Sequence, residues 1–261
     1  MKIKPKKRFG QNFLKDRSVL DKIAEAIPND DHHIVEIGPG LGDLTEILVK
    51  DRFVTAFEID YELITYLNNR FHEVIKNKRL TLNQSDILKI WDKASLHDKS
   101  YNLVANLPYY IATNILLRAF DDKNCKNIIV MTQKEVALKF VAKVNQKQFC
   151  ALSVFCDLVS TSKTIVTIVP SSAFKPAPKV ESAVISIEKN SLKIDDEFKT
   201  FLKICFKAPR KKLFKNIADS YDKVTLNDIF DKLKINNDKR PHEVDTEQYS
   251  QIYRDLKEKY E

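Results

Sequence analysis

Asn106-Leu107-Pro108-Tyr109 places an amide, a carbonyl in a stiffened turn and an aromatic ring in four consecutive positions. That set suits methylation of an exocyclic adenine amine. The adenine N6 lone pair is delocalised into the ring, so a site that makes it nucleophilic must accept the amine hydrogens and turn the lone pair toward the incoming methyl group. The Asn106 amide oxygen and the Leu107 backbone carbonyl supply two acceptors, and Pro108 stiffens the turn by fixing its φ. The Tyr109 ring offers a face on which an unpaired or extruded base can stack, and Phe174, in a later proline-rich loop, is the candidate for the opposite face. Displacement at a sulfonium is favourable, so alignment and electrostatics can supply much of the acceleration without a strong general base.

The methyl source is read from a second stretch. Only four glycines occur in 261 residues, and Gly38, Gly40 and Gly42 all fall in Val35-Glu-Ile-Gly-Pro-Gly-Leu-Gly42. A strand followed by glycines and a helix is a nucleotide-binding turn, because glycine allows both the tight turn and close backbone approach. A dinucleotide fingerprint would read GxGxxG with pyrophosphate on the helix N-terminus. Here Glu36 precedes the turn and would repel a phosphate, so the spacing favours a cationic, phosphate-free ligand such as S-adenosylmethionine. Glu58, about 20 residues beyond the first glycine and at the end of the next strand, can accept hydrogen bonds from ribose hydroxyls. Asp86, after a third strand, can accept one from an adenine amine. Their neighbours Ile59 and Ile87 belong to the same expected site. Each feature alone reads as a tight turn, a solvated strand-end acid or a capped turn; their order, one at each strand end, is what an open α/β sheet requires of a ligand site.

The elements that would position these residues alternate. After a helix containing Val19, Leu20, Ile23 and Ala26, strands are expected at Ile34–Ile37, Val54–Ile59, Leu80–Leu82, Leu103–Ala105 and Ile128–Met131, with helices between them. Such alternation predicts an α/β fold with a mostly parallel, Rossmann-like sheet. The runs Thr164–Val169 and Val180–Ile187, joined by a proline-rich turn, predict an antiparallel hairpin closing the sheet edge. Beyond Asn190 the spacing becomes helical (Phe198, Phe201, Leu202, Cys205; Leu226, Ile229, Phe230, Leu233), which divides the chain into a methyltransferase-type domain over 1–189 and a small helical domain over 190–261.

The formal charge of +8 is concentrated. Residues 1–17 hold seven bases, Lys6, Lys7 and Arg8 among them, against the single Asp16, and residues 198–218 hold seven more, including Arg210, Lys211 and Lys212, with no acid. The rest of the chain is therefore net acidic. Clustered bases favour a polyanion partner, with a solvated face as the plainer alternative. The four cysteines show no CxxC pairing and no grouping with the five histidines, which predicts reduced thiols and no metal site. The basic start is followed by no apolar core of signal length and no run approaches membrane-spanning length, so a cytoplasmic, soluble protein without a membrane association is expected.

With these residues in hand, the sequence resembles the KsgA family of small-subunit (16S) ribosomal RNA adenine dimethyltransferases. The likeness runs along most of the chain: Lys7-Arg-Phe-Gly-Gln-Asn-Phe-Leu14, Glu36 to Gly42, Glu58-Ile-Asp60, Asp86-Ile-Leu88, Asn106 to Tyr109, Gln133-Lys-Glu-Val136, Ser172 to Val180 and Ser182-Ala-Val184. The resemblance implies a class I methyltransferase fold and a monomer acting on two adjacent adenines of an assembling small subunit. It also implies that Asn12, Leu14, Gly38, Glu58, Asp86 and Asn106 contact S-adenosylmethionine, that the segment around Gln11 to Leu14 closes over it, and that S-adenosylhomocysteine is the product. Gly40 belongs to the same turn. The chain departs from the family at Asn145 and Cys150, where glycines are usual, at Pro209-Arg-Lys-Lys212, where Arg-Arg-Lys is common, and at Tyr110, where relatives often carry a smaller polar residue.

The related group that dimethylates a large-subunit adenine shares the catalytic motif; the Lys179 loop and the Lys7-Arg-Phe-Gly10 segment favour the small subunit. A DNA adenine methyltransferase would more typically carry proline at Leu107, and a nicotinamide oxidoreductase would lack the motif. An assembly factor that binds RNA without catalysis would have no need of Asn106 and Tyr109.

Overall fold

The computed structural model describes residues 4–6, 9–92 and 94–260. Its strands, in chain order, are β1 (Phe13–Leu14), β2 (His33–Ile37), β3 (Val54–Glu58), β4 (Leu80–Gln84), β5 (Tyr101–Asn106), β6 (Cys125–Gln133), β7 (Ser160–Val169), β8 (Phe174–Lys175) and β9 (Ser182–Lys189). The helices are α1 (Arg17–Glu25), α2 (Thr45–Leu48), α3 (Tyr61–Arg70), α4 (His72–Lys76), α5 (Ile87–Trp91), α6 (Ala112–Asp121), α7 (Lys134–Val141), α8 (Ala151–Val159), α9 (Asp196–Cys205), α10 (Leu213–Ala218), α11 (Lys223–Lys232) and α12 (Thr246–Tyr260).

Seven strands form one sheet in the order β4-β3-β2-β5-β6-β9-β7. The first five are mutually parallel, and β9 runs antiparallel to β6. Ile34, Val35, Leu103, Val104, Ile128 and Ile129 are fully buried, as strands covered by helices on both faces require. The predicted hairpin is present at the sheet edge, with its second strand, β9, on the inner side. Strand order reverses beside β2: the chain builds outward through β3 and β4, then returns to add β5 on the other flank. Ligands of open α/β sheets bind at such a reversal, outside the carboxyl ends of the strands. Short polar caps hold the helices that start there, with Asp60 accepting the Glu62 amide and Asp86 the Leu88 amide at the first turns of α3 and α5.

The chain divides into two compact units. One comprises the described residues up to Ala137 together with Thr161–Asn190; the other comprises Leu138–Ser160 and the residues from Ser191 onward. This differs from a division at 189/190, because residues 138–160 group with the C-terminal helices. The cause lies in α8, which buries Val154, Phe155, Cys156 and Val159 and therefore needs cover; it packs against α9 and α12. Within this second unit Tyr253 packs edge-on against Phe198, Phe206 tilts onto Tyr249, and Phe214 meets Phe230 edge-on. Asn145, one of the departures from the family's glycines, takes φ +70, the left-handed conformation that asparagine tolerates better than most residues. Cys150 instead sits in extended backbone at the start of α8.

Candidate active site

A cavity opens at the C-terminal ends of β2, β3, β4 and β5. Gln11, Asn12, Leu14, Gly38, Gly40, Glu58, Ile59, Asp86, Ile87 and Asn106, the whole expected cofactor set, line it, as do Leu107, Pro108 and Tyr109. Gly38, Gly40 and Gly42 all have positive φ. A Cβ on Gly42 would come within 2.5 Å of the Phe71 ring, and one on Gly40 within 3.0 Å of Phe13, whereas one on Gly38 would have no atom nearer than the Asn106 carbonyl oxygen at 4.0 Å. Gly42 is thus required by the packing of Phe71 and Leu67, while the missing side chain at Gly38 leaves room beside the end of β5 for a ligand to approach the backbone.

Two acids stand behind this turn. Glu36 is 1% exposed, and its Oε2 accepts the Thr45 hydroxyl at 2.7 Å. Burial, opposed by that hydrogen bond and reinforced by the nearby Glu58, pushes its carboxyl up to about 8. The sequence suggested an ionised acid facing the ligand; in the structure burial disfavours the charged form of Glu36 and shifts its balance toward the neutral acid. Glu58 accepts the Asp60 amide at 3.0 Å and the Gly40 amide at a long 3.4 Å. Its value is also raised, burial outweighing those backbone donors. Nearby, the Ser85 hydroxyl is buried in the cavity wall with no hydrogen-bond partner among the described residues. Under-served acids, an unpartnered hydroxyl and a glycine with space above it fit a ligand that brings hydroxyl and amine donors and a positive charge, which are the groups of S-adenosylmethionine.

On the catalytic side, the Asn106 side chain donates through Nδ2 to the Asn12 carbonyl at 3.2 Å. An amide whose nitrogen is engaged by a carbonyl has its oxygen as the remaining acceptor, so this bond leaves Oδ1 of Asn106 as its acceptor. The Leu107 amide donates to the Met131 carbonyl of β6 at 3.0 Å, and the Ile111 amide to the Pro108 carbonyl at 3.2 Å, which fixes the turn. Tyr109 is half-buried, with its hydroxyl 2.7 Å from the Ser182 hydroxyl at the start of β9. Burial raises its phenol, and the Ser182 bond opposes the rise.

Two expected residues stand elsewhere. Phe174 is absent from the cavity wall: it lies in β8 opposite Leu14 of β1, 3% exposed, within the hydrophobic core. The pairing of β1 with β8 turns the ring inward, so this structure does not offer it as the second stacking face. Lys6 is not a free cation: its Nζ pairs with Asp60 at 2.7 Å and Glu62 at 3.1 Å. Lys7 and Arg8 lie outside the described residues. In the second unit, Arg210, Lys211 and Lys212 are all exposed. Their turn is pinned from beneath by Asn216, which donates to the Cys205 and Ala208 carbonyls, and Lys212 pairs with Asp238. Three contributors had no role assigned from sequence: Thr45, Asp60, whose side-chain partners Lys6 and Gln11 are distant in the chain, and Ser182. Tyr110, 61% exposed, lies over the backbone of Gly10 at the cavity mouth.

A parallel sheet with its order reversed beside β2, a glycine turn at that reversal and acids on the following strand ends define a Rossmann-like, class I methyltransferase fold. The chain belongs to the ribosomal RNA adenine dimethylase family, which matches residues 2–258. It is 51% identical over 258 residues to a protein of Aliarcobacter butzleri named ribosomal RNA small subunit methyltransferase A, covering 98% of this chain and 97% of that one. A protein of the same name from Helicobacter hepaticus is 46% identical over 261 residues, 97% of this chain and 92% of the other. Among solved structures, a dimethyladenosine transferase from Plasmodium falciparum superposes with a TM-score of 0.80 at 24% identity, over 95% of this chain and 98% of that one. The 23S rRNA methyltransferase ErmE does so with a TM-score of 0.74 at 23% identity, over 94% and 100%. These two structures share the fold.

Among the described residues, no three His, Cys, Asp or Glu side chains gather to hold a metal ion, and no helix is long and apolar enough to cross a membrane.

Proposed function

We propose that this chain transfers methyl groups from S-adenosylmethionine to N6 of two adjacent adenines near the 3′ end of small-subunit (16S) ribosomal RNA during assembly of that subunit, giving N6,N6-dimethyladenosine and S-adenosylhomocysteine. The observation that carries it is the Asn106 amide, held by the Asn12 carbonyl so that Oδ1 is its acceptor, in the same cavity as Gly38, Glu58 and Asp86. When bound, S-adenosylmethionine supplies an electrophilic methyl group on a sulfonium. Gly38 gives it room, Glu58 accepts its ribose hydroxyls, Asp86 its adenine amine, and Ile59 and Ile87 border the same space. Asn106 Oδ1 and the Leu107 carbonyl accept the N–H groups of the target amine, which rotates the lone pair out of conjugation. Tyr109, tethered through Ser182, provides the stacking face. After one methylation a single N–H remains, so the second transfer leaves one acceptor against a methyl group.

The exposed turn at Arg210, Lys211 and Lys212 contributes phosphate contacts. Replacing all three by alanine lowers the salt slope of RNA binding by about two units, at roughly 0.7 per phosphate contact; an unchanged slope removes the turn from the interface. The function itself is tested by incubating the protein with labelled S-adenosylmethionine and, separately, unmethylated small subunits, large-subunit RNA and DNA. Labelled dimethyladenosine from small subunits alone is expected. Label in large-subunit RNA moves the substrate to the other ribosomal subunit, and tight binding to small subunits without label overturns the enzymatic reading.

A further inference from the structure

The segment from Lys6 to Leu14 is fastened to the methyltransferase unit at three places. Asp60, only 3% exposed, receives Lys6 Nζ on Oδ1 at 2.7 Å and Gln11 Nε2 on Oδ2 at 3.0 Å, and the Lys6 amide closes the ring by donating to Gln11 Oε1 at 2.7 Å. One residue after Gln11, the Asn12 carbonyl holds the Asn106 amide. Two residues further, Leu14 pairs with Phe174 between β1 and β8. Asp60 is itself anchored, its amide donating to Glu58 Oε1 at 3.0 Å and its carboxylate capping α3 through Glu62. Hydrogen bonds from the Asp60 amide to Glu58 and from Gln11 to the Asp60 carboxylate, followed by the backbone link from Gln11 to Asn12, therefore connect Glu58 to the Asn106 amide.

We propose that Asp60 is a positioning residue for the methyl transfer: its carboxylate clasps Gln11 and Lys6, and so holds the Asn12 carbonyl where it orients Asn106. The proposal rests on Asn106 acting as the amine acceptor and deepens that reading. With the clasp open, the Asn12 carbonyl leaves Nδ2, the amide gains a second rotamer, and the fraction of sites presenting Oδ1 to the substrate falls. Other groups keep their places, since β1 remains paired with β8 and asparagine at position 60 still caps α3.

The test is a reciprocal exchange. Asp60→Asn removes one of the two Lys6 ion pairs, leaving that with Glu62, and sets two amides against each other; Gln11→Glu sets two carboxylates against each other. Each alone is expected to lower kcat by about 10- to 100-fold at saturating cofactor, the scale of a small misplacement of a catalytic group, with KM for the RNA substrate little changed. Each should also speed tryptic cleavage at Lys6 and shift the Asn106 side-chain amide resonance. The double variant restores a carboxylate facing an amide, and should recover most of kcat together with the protease resistance. Gln11→Glu leaves Asp60 in place, so it reports even where Asp60→Asn folds poorly. Single variants with unchanged kcat, or a double variant no better than the worse single, overturn the clasp. Asn106→Ala separates the two readings: its expected loss is on the order of 100-fold or more, and near-normal turnover there would refute the amide's role itself.

Discussion

Asp122, at the N-terminal ends of β5 and β6, and the pair Glu36 and Glu58, near the C-terminal ends of β2 and β3, are all buried acids of one sheet, and they are served very differently. Asp122 accepts the Trp91 indole at 2.9 Å, the Tyr101 hydroxyl at 2.8 Å and the Asn124 amide at 2.9 Å, with the Ser95 hydroxyl also at 2.9 Å. Burial raises its value, but these donors outweigh burial and leave it lowered, so Asp122 is a settled carboxylate. Glu36 has the Thr45 hydroxyl and Glu58 the backbone amides of Asp60, Gly40 and Ile59, the Gly40 bond long at 3.4 Å; in both, burial outweighs the donors and the value is raised. An acid saturated by its own protein stabilises the fold, and an acid left short of donors is completed by something that arrives. The difference sets the Asp122 end of the sheet, satisfied by its own donors, against the end proposed to hold the cofactor.

The largest effect that tests this contrast comes from Asp122→Ala. It orphans at least two buried donors, at about 1–3 kcal/mol each, so unfolding by urea should show a loss of roughly 3–5 kcal/mol. Cofactor affinity in the folded fraction should be unchanged, because no Asp122 partner lines the cavity. A loss below about 1 kcal/mol would mean the network contributes little and the contrast is broken. Glu58→Gln should behave in the opposite way. Hydrogen bonds to a charged acceptor contribute about 1.5–3 kcal/mol, so the dissociation constant for S-adenosylhomocysteine, measured by calorimetry, should rise about 10- to 100-fold. Stability should hold or increase, since a poorly solvated acid has been replaced by a neutral group. A destabilised variant with normal affinity would put Glu58 in the same class as Asp122.

The functional end was legible in the sequence because its chemistry restricts residue types. Three glycines clustered in a chain that has only four, acids at successive strand ends and Asn106 to Tyr109 have few other reasons to occur in that order. Contacts set by long-range closure were not legible. Phe174 turns inward because two two-residue strands, β1 and β8, meet across about 160 residues of chain, a pairing too short to leave a period. Lys6 reads as one base in a basic run until Asp60, 54 positions away, is brought beside it. The apolar segment that becomes α8 carries no mark of which side it will pack on, and so a boundary drawn at residue 189 left it with the sheet. Residue chemistry was local; partnership came only with the fold.

The same contrast can be sharpened by pH. Glu36 has an ordinary value of 4.5 and stands at about 8 in the folded chain, with burial as the main cause. Between those limits the folded chain keeps a proton that the unfolded chain has released, so the residue's contribution to stability is greatest below about pH 4.5, declines as pH rises, and levels off above about 8. Glu36→Gln removes the titration while keeping a polar group beside Thr45. The stability of the variant relative to the parent should therefore climb with pH from 5 to 8, by at most about 1.4 kcal/mol per unit, and then stay constant. Asp122→Asn should give the reverse slope at low pH, because a lowered carboxyl is stabilising above its ordinary range and loses that contribution as pH falls. Urea midpoints taken against the parent at pH 5, 6.5 and 8 for Glu36→Gln, and below the ordinary 3.8 of an aspartate for Asp122→Asn, distinguish the two slopes. A flat difference for Glu36→Gln would mean the carboxyl is already ionised in the folded chain, and Glu36 would then face the ligand as a full charge, as its place before the glycine turn first suggested.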